Sequence, residues 1–475
     1  MLGHHSKDEL LGMISSEGGE MTFQQKLRLT VLLSLPAIIA QLSSIIMQVI
    51  DAAMLGHLST EDAAAVGLVS TTIWLFGGFT TAFASGFSVQ VAHRVGAKDI
   101  KGARGVIRQG IFAGLVFSLL LMAIGLAIAP SLPRWLGASR AIWHDATAYF
   151  SIFACGMPLI VLNSLAAGSL RCSGNVKVPS MLMVMMCTLD VIFNYLFIFV
   201  MDMGTKGAAY GTMAAYVVTM TAMMYNLIVK DRMLRFSLDA ADTLVPKNYK
   251  GGAMRRFLYP YIPRWRVVDT AGRIGIPISM ERGMMCTAQI AISSIIAPLG
   301  SVAIAANTFA INVESLCYMP GHGIAEATTT LVGQSKGARR TDLMRSFAWI
   351  AMALGMGIMF LMGVIMWLFA PEMMSVITPD RAVITLGAKI LRIEAWAEVG
   401  FAAAIVANAV FVGAGKTLLS SIMNLTSIWG VRVTLTLILA PLMGLRGVWI
   451  AMAIELCVRG MIFLLRVCTK GWSRV

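Results

Sequence analysis

The sequence predicts an all-α integral membrane protein with 12 transmembrane helices in two pseudo-symmetric six-helix bundles. Three observations predict it: an apolar composition, repeated apolar runs of membrane-crossing length, and a match between the two halves. Hydrophobic residues fill 57% of the 475 positions and charged residues only 13%. A water-soluble chain with so little polarity could not cover its own surface. Each apolar run is long enough to cross a hydrocarbon layer of roughly 30 Å. Continuous apolarity reads as helix, because barrel strands would alternate in polarity.

Apolar windows fall near residues 30–54, 63–89, 107–131, 143–169, 178–201 and 207–229 in the first half. They recur near 274–298, 302–331, 346–370, 382–411, 418–440 and 446–467 in the second. These divide the chain into a tail (1–29), a first lobe (30–229), a linker loop (230–273), a second lobe (274–467) and a short tail (468–475). An even number of spans puts both termini on one side. If that side is the cytoplasm, most of the 38 Lys and Arg residues lie in inner segments, and only Arg134, Arg140, Lys206, Arg381 and Arg446 lie outside. This is the positive-inside bias of a multi-pass protein of the cell membrane. The net charge of +14 is therefore a topology signal and not a footprint for nucleic acid. The linker is rich in basic residues, and its Pro260 to Pro263 stretch breaks helix, as suits a connection between bundles.

Several other classes drop out. Seven cysteines lie in or beside apolar runs without CxxC or zinc spacing, so they read as small buried hydrophobes. Met1 to Met21 is polar and unlike a cleavable signal peptide. The pair His4-His5 has no partner cluster and reads as part of a disordered tail. A membrane-embedded enzyme would need a His-Asp pair, a serine motif or a metal-binding HExxH near a span, and the six histidines lack that setting. His322, beside Pro320 and Gly321, reads as a polar residue at a helix bend. No cofactor is expected.

An offset of 241 superimposes Pro36 on Pro277 and Val91 to Ala97 on Val332 to Ala338, the latter pair being inner loops. A third match, at an offset of 239, sets Gly174 to Lys177 against Gly413 to Lys416. Six spans per half keep the repeats in the same orientation, an arrangement common in transporters that bind substrate between their halves.

A charge within hydrocarbon is costly, so intramembrane acids are candidates for function. The first lobe holds two deep in its spans, Asp51 and Asp190, with Asn194 one turn after Asp190 on the same face. Two carboxyls held together out of water do not both stay ionised cheaply, so such a pair can take up and release a proton. The same oxygens also suit sodium. A purely structural hydrogen-bonded pair is the competing reading. The second lobe offers Glu281, Glu314, Glu394 and Glu398 as a substrate cavity or a second proton site. Glu394 and Glu398 share a helix face, with Lys389, Arg392 and Arg432 as potential neutralising partners. Glu281 could pair with Arg273 or Arg282. Methionines cluster at Met181 to Met186, Met220 to Met224 and Met352 to Met366 and read first as lipid-facing or core filler. Pro36, Pro158, Pro277 and Pro320 are candidate hinges.

Several segments carry a resemblance. Val49 to His57 (VIDAAMLGH) and Arg171 to Pro179 (RCSGNVKVP) lie in the first half. Asn312 to Leu316, Met319 to Gly321 and Leu331 to Gln334 lie in the second. Together they resemble the multidrug and toxic compound extrusion (MATE) family, in a prokaryotic, DinF-like branch. The resemblance implies two six-helix lobes around a central cavity and an antiporter. It would export organic cations or amphiphilic compounds in exchange for inward H+ or Na+, acting as a monomer in the bilayer. It also implies that Asp51 works with Tyr149, Asn163, Asp190, Asn194 and Thr212. Three departures stand out. The two fifth-helix positions carry Asp then Asn where the family has Asn then Asp. Val399 follows Glu398 where a proline is common. Lys416 interrupts a Gly-Asp-Thr ending. A lipid-linked sugar flippase of the same superfamily is the main alternative, disfavoured because such cavities tend to be basic.

Overall fold

The computed structural model describes residues 6–16, 20–58, 60–137, 139–236 and 261–473. Among them, the regular elements are all helical. The first bundle comprises α1 (Phe23–Leu58), α2 (Thr60–Gly96), α3 (Ile100–Ile128), α4 (Arg140–Cys155 with Met157–Cys172), α5 (Lys177–Val200) and α6 (Gly204–Lys230). The second comprises α7 (Trp265–Ile296), α8 (Ser301–Gly337), α9 (Thr341–Ile377), α10 (Arg381–Glu394 with Glu398–Gly413), α11 (Thr417–Met443) and α12 (Leu445–Cys468). Among the described residues, nine helices are apolar and long enough to cross a membrane singly, and α4 and α10 bring the number to 11 as bent pairs. The remaining helix, α7, is 32 residues long, but Arg273, Glu281, Arg282 and its hydroxyl side chains lower its apolarity. Helices overrun the predicted windows at their inner ends, because backbone hydrogen bonding continues past the point where apolarity stops. His4, His5, Pro260 and most of the linker lie outside the described residues.

The repeat is visible in the backbone of the inner loops. After α2 and α8, Lys98 and Arg339 take left-handed conformations with φ of 60° and 58°. In the same two loops, Asp99 N–H donates to Arg94 O and Arg340 N–H to Ser335 O, both at 2.9 Å. Asp99 also caps α3 through Gly102 N–H at 2.8 Å. Partial burial pushes its carboxyl up, but that bond and Arg94 outweigh the burial and hold it below its ordinary value. After α4 and α10, Gly174 and Gly415 supply φ of 99° and 69°, a region glycine enters without strain. Asn175 N–H to Leu170 O and Lys416 N–H to Phe411 O close those turns at 3.0 and 2.8 Å. These pairs all stand 241 apart, so the third loop follows the same register as the others. The expected match of Gly174 with Gly413 is corrected to Gly415, which puts Asp190 opposite Val431.

Breaks also repeat. α4 bends by 47° around Gly156, just before Pro158, and α10 bends by 59° between Glu394 and Glu398. The tenth helix therefore bends without a proline after Glu398. Pro36, Pro277 and Pro320 lie inside continuous helices. An unanticipated kink in α9 at Phe369 precedes Pro371 by two residues, where the ring opposes helical backbone.

Contacts divide the chain into two compact units, residues 43–279 and residues 1–42 with 280–475. The inner part of α1 thus packs with α8–α12, and the start of α7 packs with α2–α6. Both crossings bring backbones close. A Cβ on Gly323 would lie 2.6 Å from Ile38 N, and a Cβ on Gly86 would lie 2.6 Å from Ala271 O. The described segments nearest both ends pack within the second of these units. The helix Lys7–Ile14 buries Leu10 and Ile14, and Met13 O accepts from Arg340. Trp472 is buried beside Phe411, and Ser473 accepts from Arg345 at 2.8 Å. Only two turns and one aromatic mark these segments in sequence, too little for a periodic signal.

Gly323→Ala should lower the melting temperature of the purified protein by several degrees, because the added carbon overpacks a backbone crossing by about 1–3 kcal/mol. Gly357→Ala, where a Cβ meets nothing within 4 Å, should leave it unchanged or raise it slightly.

Candidate functional site

Two groups of buried polar side chains stand out, one in each unit. In residues 43–279, Asp190 and Asn194 sit one turn apart on α5 and are almost fully buried. Asn194 Nδ2 donates to Asp51 Oδ1 on α1 and to Asp190 Oδ2, each at 3.0 Å. One amide therefore spends both hydrogens on two carboxylates. Asp190 Oδ1 and Asn194 Oδ1 are buried without a hydrogen-bond partner among the described residues. An unmet buried acceptor is costly, and acceptor oxygens of this kind accommodate a proton or a hard cation such as sodium. Thr212 and Tyr149 neighbour this pair from α6 and α4.

The helices make this cluster possible. Gly211 on α6 lets α5 approach, since a Cβ there would fall 2.8 Å from Asn194 N and collide with its Oδ1. Two residues after Asn194 begins the π-helical turn Leu196–Val200, a distortion often found at functional positions. Asn163 makes no hydrogen bond to the acids, and its Oδ1 is buried without a partner among the described residues.

The second unit holds the four predicted glutamates in two places. Glu281 accepts from Ser421 Oγ at 2.7 Å and Asn424 Nδ2 at 2.8 Å on α11. Its expected basic partners are otherwise placed: Arg273 binds Asp269 at 2.9 Å, and Arg282 makes no bond to it. Glu314, Glu394 and Glu398 form a second buried group, with Arg432 neighbouring Glu314 and Glu394. All four oxygens of Glu394 and Glu398 lack hydrogen-bond partners among the described residues. Arg392 does not neutralise them; it donates to Trp367 O and lies 5.7 Å from that ring's centroid. Arg432 sits in the π-helical turn Ile428–Val433. His322 packs edge-on against Tyr318 at 5.7 Å.

Sequence reasoning missed Glu455 and Arg459 on α12. They form a buried ion pair at 3.1 Å, and Ser427 Oγ donates to Glu455 at 2.6 Å. An acid and a base four residues apart inside an apolar span was the available signal. Glu326 on α8, which accepts from Gln41 Nε2 at 3.1 Å, was missed as well.

Comparison with known proteins identifies the family. The MatE family profile matches residues 36–196 and 277–438, one stretch in each half. The chain belongs to the MatE family. These are the multidrug and toxic compound extrusion transporters that the sequence motifs resemble. Among similar MatE relatives is a probable multidrug resistance protein NorM from Thermotoga maritima, 24% identical over 448 residues, spanning 93% of this chain and 92% of the relative. A NorM protein from Idiomarina loihiensis is 26% identical over 452 residues, spanning 91% of each. The fold is similar to an outward-facing multidrug resistance MATE transporter, with a TM-score of 0.86, 23% identity and coverage of 98% and 99%. A MOP superfamily transporter from Pyrococcus furiosus also gives 0.86, at 23% identity and 98% coverage of both chains. The all-α, 12-helix expectation agrees with these structures.

Arg459→Met should destabilise the protein by about 3–5 kcal/mol, because it strands Glu455 in a buried site. The double variant Glu455→Met with Arg459→Met should recover most of that loss. Thermal unfolding of the purified variants measures both.

Proposed function

We propose that this MatE protein is a secondary active antiporter that exports organic, cationic or amphiphilic compounds across the cell membrane in exchange for inward H+ or Na+. Its termini face the cytoplasm, it works as a monomer, and it alternates access between its two lobes. The observation that carries the reading is the Asp51–Asn194–Asp190 group, with buried acceptor oxygens left over. Asn194 keeps the two carboxylates together, Thr212 and Tyr149 border them, and the apolar surroundings hold bulk water away. A proton or sodium entering from outside offsets their repulsion, and hydration of the site releases it. The names of the NorM relatives support the multidrug part of the reading. The Glu314–Glu394–Glu398 layer serves as cavity or second proton site.

In vesicles containing purified protein and a fluorescent organic cation, an imposed proton or sodium gradient should drive dye movement. Asp51→Asn and Asp190→Asn should each abolish the gradient-driven component while melting at temperatures near the unsubstituted protein. Unchanged rates in both variants would remove the coupling role. A response to one gradient alone names the ion.

A further inference from the structure

The described chain on either side of the linker returns to one place, the inner end of α3, within residues 43–279. Before the linker, Met233 O accepts from Arg104 Nε at 2.9 Å, and the Arg108 guanidinium lies 4.7 Å from the Phe236 ring centroid. After it, the Tyr261 ring meets Phe236 edge-on at 6.4 Å, and Arg264 N–H donates to Gln109 Oε1 at 2.8 Å. Arg104 to Gln109 covers only about 8 Å of helix. Two stretches of chain are thereby held side by side where α6 ends and α7 begins.

Both stretches are basic. Lys230, Arg232 and Arg235 lie on the first, Arg264 and Arg266 on the second, and all five are exposed. Among the described residues, the side chains of Lys230, Arg232, Arg235 and Arg266 make no hydrogen bond or ion pair. The acid between them, Asp231, is spent on neutral partners: Asn175 Nδ2 at 3.1 Å and the Met233 and Leu234 N–H groups at 3.0 and 2.9 Å. The next acid along α7, Asp269, pairs with Arg273. Apolar surface accompanies the charge. Trp265, set between two of the arginines, is 79% exposed, and Met233 and Ile262 are exposed as well. A tryptophan at the end of a span sits at the level of the lipid headgroups.

The topology bias alone does not produce this surface. At positions 241 away, Ser473 stands for Arg232, and Phe23, Gln24 and Gln25 stand for Arg264, Trp265 and Arg266. None of those four side chains is charged. Guanidinium groups take phosphate oxygens in paired bonds, and basic sites beside spanning helices hold anionic headgroups.

We infer that this surface binds an anionic phospholipid of the adjoining leaflet, its phosphate held by Arg232, Arg235, Arg264 and Arg266 and its acyl chains lying along Trp265 and Ile262. The inference needs only the membrane-spanning fold and stands apart from the transport reading.

Native mass spectrometry of the purified full-length protein tests it, with dioleoyl-phosphatidylglycerol and dioleoyl-phosphatidylcholine added in turn. These lipids share acyl chains and phosphate and differ in net charge. The first phosphatidylglycerol should bind at least tenfold tighter than the first phosphatidylcholine. Arg232→Gln with Arg266→Gln should weaken phosphatidylglycerol at least fivefold and leave phosphatidylcholine unchanged. Arg28→Gln with Arg339→Gln removes the same charge from the other unit and should alter neither. Equal binding of the two lipids by the unsubstituted protein, or an equal loss in both double variants, overturns the inference. The first comparison uses no variant, so a substitution that fails to fold leaves the inference open to refutation.

Discussion

Much of the first unit's chemistry depends on a single side-chain amide. Asn194 has two N–H groups, and both are committed to carboxylates on different helices. That commitment ties α1 to α5 inside hydrocarbon, where neither acid could stand alone without large cost. It also orients the amide oxygen away from the acids, leaving it and one Asp190 oxygen as buried acceptors. A structural polar lock would tend to satisfy every such atom. This one stops short, and the shortfall is what a transported ion can fill.

The second unit solves the same problem differently. Its acids on α7 and α12 are satisfied by hydroxyl, amide and guanidinium partners. The layer on α8 and α10 is not, since all the carboxyl oxygens of Glu394 and Glu398 lack partners among the described residues. The two halves share backbone turns to within a few degrees of φ in one loop pair, yet Asp51 and Asp190 face Ile292 and Val431 at equivalent positions. Duplication preserved the scaffold, and the polar content diverged upon it. The exchange of inner segments, α1 into one unit and α7 into the other, ties each half to its partner through crossings that only glycine makes close.

Much of this was legible in the sequence. Span positions follow from apolar length, and the pairing of Asp51 with Asp190 follows from the scarcity of acids in the first lobe. The i, i+4 spacing placed Asn194 correctly. What failed to show has physical reasons. Register in the third loop turns on which of two glycines, Gly413 or Gly415, adopts positive φ, and composition does not distinguish them. The bend of α10 arises without proline. Partners for Glu281 come from α11, about 140 residues away, and are neutral where charge reasoning looked for bases. Asn163 lies on the right helix but makes no hydrogen bond to the acids among the described residues. Glu455 escaped because its own arginine lies within the same helix and hides the charge from a search for isolated acids.

The central claim is that the carboxyl pair joined by Asn194 holds the coupling ion. Ion release from purified protein tests it most directly: a transported dye is added in weakly buffered solution with a pH indicator, and in parallel with a sodium indicator. The account predicts release of about one ion per protein on dye binding, lost in the Asp51→Asn, Asp190→Asn double variant although the dye still binds. Release of undiminished size from that double variant would contradict it.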